Sequence, residues 1–530
     1  MRAMAPKFKA LIFDLGGVLL EWDRRNVTGL SPGQFLTIMN STAWHGLDRG
    51  TLTVEDACKE FGKLLGLDQS VVEESLEEAR LSLVVNEHLV RTIEDLKAAD
   101  PDLKLYIMSN ISREHFKMVR RLALPWAMFD SVFASGERGM RKPDLSFFQY
   151  VIQQTGLAPS EMVLIDDTAE NICAARSQGL HGLLVEKKGA KAGSMLRSLL
   201  QDPLPRARDF LKANARRHDC VIEGHEDLAL KDNFAQLMLW ELTGDESIIY
   251  LKWPSGRRLG SDDDEDRVDG RTKGRTSGNS NGESNGESDG EGHSDLKNGL
   301  WNYFYEEPLL TSREFPPDAD TTSTAYLSLP DEDLGTVADV ELVLDAMAAN
   351  VDSDGIMQTY FSDDRPRTTP EVCCNILRVF HRFGRGSDPR IEKTQDWIVR
   401  CLENDACHDG NRHYSTPESL LYFAARLKVE CGSHPLAEKL SVVKSQLEQR
   451  INVPTNPLAL ALRLFSCQLV GIDSGVYKKD LEAFLSLQEE DGGWPAGHFC
   501  RIGRIGACIG NRGLTTALAA RIIQMERSRS

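Results

Sequence analysis

The stretch KALIFDLGGV, residues 9–18, sets the reading of the N-terminal part of the chain. An uninterrupted apolar run, Ala10 to Phe13, leads directly into Asp14 and then into two glycines, Gly16 and Gly17. Such a run, bounded by a polar end and flexible backbone, reads as a buried parallel strand that delivers a carboxylate at its C-terminal tip. Similar runs recur as LKLYIMSN (103–110), SVFAS (131–135), MVLIDD (162–167) and GLLVE (182–186). They alternate with helical stretches such as NEHLVRTIEDLKAA (86–99) and DLSFFQYVIQQTG (144–156). That alternation predicts an α/β doubly wound sheet over about residues 8–186. Ligands of such sheets bind beyond the carboxyl ends of the strands. Three of those ends carry chemistry: Asp14, then Ser109 and Asn110, then Asp166 and Asp167.

At 530 residues the chain is too long for one ordinary domain, and composition divides it again further on. A helical connector is expected over 194–254. Residues 255–299 contain almost no apolar side chains, an acidic run and a repeated NGES, so they read as a disordered acidic Gly/Ser/Asn linker. From 300 to 530 the pattern is helical and carries a degenerate repeat, in which an Asp-Gly turn and an aromatic residue precede a Thr-initiated helix. It starts at Asp354, Asp409 and Asp491, with TTPE and STPE as N-cap signals and a related DADTTSTAYLSL from Asp318. Repeated helix pairs predict an all-α α/α barrel, with the connector belonging to it. The first domain, built on the sheet, is expected to span residues 1–193.

Hydrophobic residues make up 41% of the chain and its mean hydropathy is −0.33. With no apolar run long enough to span a bilayer, no stable membrane insertion is expected. Eleven cysteines without a CxxC pair suggest reduced thiols and a cytoplasmic protein. The net charge of −18 speaks against nucleic acid, so a phosphorylated ligand needs locally clustered cations.

Asp14, Ser109, the Lys142 of Arg141-Lys142-Pro143 and Asp166-Asp167 follow one another in the order and spacing of the four motifs of haloacid-dehalogenase-like (HAD) phosphotransferases, which residues 8–186 resemble. The resemblance implies attack on phosphorus by Asp14, with Ser109, Asn110 and Lys142 holding phosphoryl oxygens. It implies Mg²⁺ at a set comprising Asp14, Gly16, Asp166, Asp167 and Glu170, the last three also forming a DDxxE string. Most HAD phosphatases carry a second Asp where this chain has Gly16, which raises the alternative that the domain is only a scaffold.

Asp318-Ala319-Asp320-Thr321-Thr322 resembles the DxDTT acid motif of class II terpene cyclases, and Gln488 to Trp494 fits the Q-x3-G-x-W repeat of their barrels. With the HAD-like segment in front, the chain resembles the fungal drimane-type sesquiterpene cyclases. The resemblance implies that Asp320 protonates an alkene of farnesyl diphosphate, assisted by Asp318, with Thr321 and Thr322 offering hydroxyl groups. The bicyclic drimane diphosphate would then be dephosphorylated to an albicanol- or drimenol-type alcohol. Burial and a neighbouring carboxylate favour a protonated Asp320, whereas the helix N-terminus favours the anion. Trp494 and the other aromatics, Trp301, Tyr303, Phe304, Tyr305, Tyr326, Tyr360, Phe361 and Tyr414, are candidates for facing a carbocation, a minority of them being expected to do so. Arg501, Arg504 and Arg512 read as a diphosphate clamp. A further alternative is a sugar phosphatase joined to a toroid binding module, with Cys407-His408-Asp409 hinting at zinc.

Overall fold

The computed structural model describes residues 8–22, 28–185, 192–255, 258–259, 296–297, 299–334, 339–502 and 505–529. The chain divides into two units, Met1–Gln201 and Asp202–Ser530.

In the first unit, β1 (Ala10–Phe13), β2 (Lys104–Ser109), β3 (Ser131–Ala134), β4 (Met162–Asp166) and β5 (His181–Leu184) form a parallel sheet in the order β3-β2-β1-β4-β5. Successive side chains of a strand point to opposite faces. Accordingly, Leu11, Phe13, Leu105, Ile107, Val163 and Ile165 enter one apolar cluster, while Ala10, Ile12, Tyr106, Met108, Met162 and Leu164 enter another. Full burial of such side chains contributes roughly 1.5–3 kcal/mol each. This is why the runs are apolar throughout rather than alternating. Phe13 lies level with both Ile107 and Ile165, so the tips of the three central strands share one edge.

Between β1 and the helix Glu87–Ala99 is an insertion of four helices, Pro32–Met39, Thr42–Asp48, Val54–Leu65 and Gln69–Leu81, which bury Phe35, Ile38, Phe61 and Val72 in a core of their own. The sequence alternation does not announce it. The boundary expected at 193 is displaced to 201. Helix Ala192–Leu200 packs on Glu87–Ala99 and buries Leu196 in the core of the sheet, so residues 194–201 belong to the first unit rather than to a connector.

In the second unit α1 (Asn233–Thr243), α2 (Ala319–Ser328), α3 (Pro370–Arg382), α4 (Pro417–Cys431), α5 (Pro457–Leu469) and α6 (Arg512–Arg529) form a closed ring. Each packs on the next and α6 packs back on α1, with helices such as Glu392–Glu403, Val442–Arg450 and Lys478–Leu485 outside. This is the α/α barrel. It is not purely helical. Cys500–Arg501, Cys508–Gly510, Cys220–Ile222 and His225–Leu230 form an antiparallel sheet, a departure from the all-α expectation, because two short strands beyond Trp494 pair with residues far upstream. Thr369 and Thr416 stand at the N-caps of α3 and α4 with Pro at the first turn, but neither hydroxyl caps a backbone amide; Thr369 instead pairs with the Thr359 hydroxyl.

Most of the expected linker, 260–295, lies outside the described residues. At its start Arg258–Leu259 pairs as a strand with Leu251–Lys252, so ordered structure extends past 255. Among the described residues, no helix is long and apolar enough to cross a membrane.

Candidate active sites

At the sheet edge, Asp14 follows the last residue of β1, and Ser109 and Asp166 end β2 and β4. Lys142 is fully buried between two of them. Its ammonium donates to Asp166 Oδ2 at 2.5 Å and lies 3.1 Å from Asp14 Oδ2. Asn110 fixes that lysine through a reciprocal pair, its amide donating to the Lys142 carbonyl at 2.8 Å and accepting from the Lys142 amide at 2.7 Å. The other Asp166 oxygen accepts from the Thr168 amide and the Asn171 side chain, both at 2.9 Å. Asn171 was not anticipated; its position in the first turn after β4 was the available signal.

Asp14, Asp166 and Asp167 each present an oxygen within 4.8 Å of one another, an all-carboxylate set suited to a hard divalent cation. Burial pushes Asp14 up to about 7, opposed by Lys142 and reinforced by Asp166 and Asp167. A divalent ion relieves this accumulation of negative charge, so the residues fit Mg²⁺. Glu170, on the first turn of Ala169–Ser177, is not a member of that set. Gly16 contributes no side chain and is exposed, and a Cβ there meets nothing within 4 Å. Gly17, by contrast, is required: its φ is +76° and a Cβ would stand 2.2 Å from the Asp167 carboxylate.

The second constellation lies at the start of α2. Asp318 is its N-cap, accepting from the Thr321 amide at 2.7 Å and from the Thr321 hydroxyl at 2.9 Å. The simple capping role is therefore real, and the same side chain also lines a cavity of about 340 Å³. Asp320 faces that cavity too. Its Oδ1 accepts from the Asn375 amide at 2.8 Å and its Oδ2 from the Tyr414 hydroxyl. Arg378 donates to the Asn375 carbonyl at 3.0 Å and is itself paired with Glu241. A guanidinium can only donate, so it orients the Asn375 amide with its NH₂ toward Asp320.

Burial is the main cause lifting both acids, Asp318 to about 7 and Asp320 to about 6. Backbone donation at the helix start lowers Asp318 but does not outweigh burial. Burial thus outweighs donation at the helix end and shifts both acids toward the neutral form.

The cavity wall is aromatic, including Phe234, Tyr303, Phe304, Phe315, Tyr360 and Tyr414. Four of these were among the nine aromatic candidates; Trp301, Tyr305, Tyr326, Phe361 and Trp494 do not line it. Trp494 is fully buried, stacked on Phe484 and donating to its carbonyl at 2.8 Å, so its role is in the core. Thr321 lines the cavity, whereas Thr322 is turned to accept from the Trp301 amide at 2.9 Å. Arg501 lines the cavity. Arg512 does not: it is held by Glu489 and Asp491 over the Phe210 ring. Arg504 lies outside the described residues. Asn375, Arg365, Arg367 and Arg412 were missed, since no local motif marks them. Among the described residues, Cys407, His408 and Asp409 form no metal-binding group.

A family model described as sesquiterpene cyclase astC-like C-terminal domain matches residues 204–383, and one described as haloacid dehalogenase-like hydrolase matches 8–179. Drimenol cyclase drtB of Aspergillus calidoustus is 32% identical over 518 residues, 97% of this chain and 88% of that protein. Sesquiterpene phosphatase astK of Aspergillus oryzae is 34% identical over 180 residues, 34% of this chain and 91% of that protein. A solved HAD family enzyme of Bacteroides thetaiotaomicron, in complex with magnesium and inorganic phosphate, is 21% identical over 34% of this chain and 96% of its own, with a TM-score of 0.29. The acid pair in an aromatic cavity and the carboxylate-lysine cluster at a sheet edge thus occur in a chain that belongs to the drimenol cyclase family, an enzyme with a HAD-type hydrolase domain followed by a sesquiterpene cyclase domain.

Proposed function

We propose that the enzyme cyclises farnesyl diphosphate to a bicyclic drimane diphosphate and then transfers both phosphoryl groups to water, in two successive hydrolyses, to give an albicanol- or drimenol-type alcohol. The observation that carries this reading is the pair of buried, protonated-leaning acids in an aromatic cavity. Asp320 transfers its proton to the terminal alkene of the folded substrate, and the alkene electron pair forms the new C–H bond. The remaining alkenes close two rings in succession, and loss of a proton from the final cation restores neutrality. Tyr414 and Asn375 hold the carboxylate left behind. The aromatic faces stabilise positive charge without supplying a nucleophile, each such contact being worth roughly 0.5–2 kcal/mol.

In the HAD unit Asp14 is the nucleophile toward phosphorus, and Ser109 and Lys142 hold phosphoryl oxygens. Asp14, Asp166 and Asp167 would hold Mg²⁺, which would supply the charge neutralisation that lets a carboxylate approach a phosphate. The open space at Gly16, where an acid/base carboxylate is expected, favours a second reading, in which the drimane diphosphate is released intact. Incubation with farnesyl diphosphate and Mg²⁺, identifying the terpene and assaying free phosphate together, separates the two. No bicyclic product in either form would end both. The enzyme is proposed to act in the cytoplasm, consistent with eleven unpaired cysteines.

A further inference from the structure

The cavity has a polarity of its own. Asp318 and Asp320 mark one part of its wall, while Arg365, Arg367, Arg412 and Arg501 contribute guanidinium groups to it. In a chain of net charge −18, cations without counter-charges need a reason. Several arginines elsewhere in this unit are held by acids: Arg378 and Arg426 by Glu241, Arg463 by Glu418 and Asp480, and Arg512 by Glu489 and Asp491. Among the described residues, Arg367, Arg412 and Arg501 form no such ion pair. Arg365 forms none either. It lies 4.8 Å over the Phe315 ring and bonds to Ser312 and the Glu314 carbonyl, which fixes it at the cavity wall.

Among the described residues, two carboxylates line the cavity. Those of the cavity, Asp318 and Asp320, already have their oxygens engaged by Thr321, Asn375 and Tyr414. Asp363 and Asp364, on the same loop as Arg365, are exposed and outside the cavity wall. Among the described residues, the carboxylate group arranged for a metal is the one in the first unit. A diphosphate presents several oxygens and about three negative charges, which planar guanidinium forks match without an intervening ion.

We propose that Arg365, Arg367, Arg412 and Arg501 hold the substrate's diphosphate directly, so that ring closure proceeds without the divalent metal that phosphate removal uses. This rests on the cyclase reading above and assigns the two halves of the reaction different means of binding the same group. It also sets the orientation of the substrate: the diphosphate is anchored among the arginines, and the far isoprene unit is delivered to Asp320.

The test uses the full chain with farnesyl diphosphate, once with Mg²⁺ and once with excess EDTA. Products are analysed before and after treatment with an added phosphatase. The expected result with EDTA is bicyclic diphosphate at a rate within about threefold of that with Mg²⁺, while release of phosphate and alcohol stops. Loss of ring formation in EDTA, with ring formation intact in Mg²⁺, overturns the inference but leaves the cyclase reading standing. No bicyclic product in either condition overturns the cyclase reading itself. The second arm compares Arg367→Gln and Arg412→Gln with the corresponding Lys variants. Each Gln variant is expected to raise KM for farnesyl diphosphate about tenfold or more, with Lys recovering part of the loss. Unchanged KM in folded Gln variants, as judged by circular dichroism, also overturns it.

Discussion

The two sites both bury carboxylates, yet they treat positive charge oppositely. In the HAD unit the Lys142 ammonium touches Asp14 and Asp166 directly. In the barrel no cation among the described residues forms an ion pair with Asp320. Its partners are a neutral amide and a neutral hydroxyl, and the nearest guanidinium along the hydrogen-bond chain, Arg378, acts through Asn375. Contact with the Lys142 ammonium opposes the burial that raises Asp14 to about 7, and so favours the anion a nucleophile must be. At Asp320 burial also raises the acid, to about 6, against neutral donors and a guanidinium one amide away. The two sites therefore differ in what opposes burial, a buried ammonium at Asp14 and neutral donors at Asp320, although the residue type is the same.

The largest effect is expected from Asp320→Asn, which removes the only proton this reading can deliver. Bicyclic product should fall by about a thousandfold or more, measured as terpene after phosphatase treatment. The same variant tests the burial argument. A carboxyl raised from 3.8 to about 6 by folding stabilises the protein fully below about pH 4, and this stability is lost as pH rises through about 6. Asn does not titrate, so the variant should unfold at a higher temperature than the parent at pH 8, by about 3 kcal/mol at most, with the gap closing near pH 4. Undiminished ring formation in Asp320→Asn would remove the comparison altogether.

Asp14→Asn comes next. It should leave the bicyclic skeleton forming while its diphosphate accumulates and release of alcohol falls about a hundredfold or more. Alcohol at the parental rate means that phosphate leaves by another route. If ring formation also stops, the two chemistries are not separable by residue.

A smaller and more diagnostic effect is expected from Tyr414→Phe. The hydroxyl favours the Asp320 anion, so its loss should raise the acid further. Ring formation depends on the protonated form and should decline above about pH 6 in the parent. In Tyr414→Phe the maximal rate should drop about tenfold while that decline moves to higher pH. A pH profile that does not move would show that Tyr414 only fills space.

The smallest effect on chemistry is expected at Trp494. Trp494→Phe should leave KM for farnesyl diphosphate within about twofold but lower the melting temperature, because the lost volume and indole hydrogen bond lie in packed core. A large rise in KM without loss of stability would return Trp494 to the substrate site.

What the sequence determined was local. Apolar runs of strand length ending in Asp14, Ser109 and Asp166 specify both the elements and their functional tips, because a parallel strand buried on both faces has no alternative composition. Asp318 before Thr321 specifies the start of a helix, because a capping bond spans three residues. The tertiary structure decided everything that depends on closing the ring. Asn375 and Tyr414 stand 55 and 94 residues beyond Asp320, each on a different repeat, and no spacing rule connects them. Arg512 and Trp494 carry motif-like signals yet face away from the cavity, while Arg367 and Arg412 carry none and line it. A repeat constrains how each helix pair packs on its neighbour. The inward direction of a given side chain follows from where the ring closes, and that is set by contacts between the first and last helices, α1 and α6, nearly three hundred residues apart.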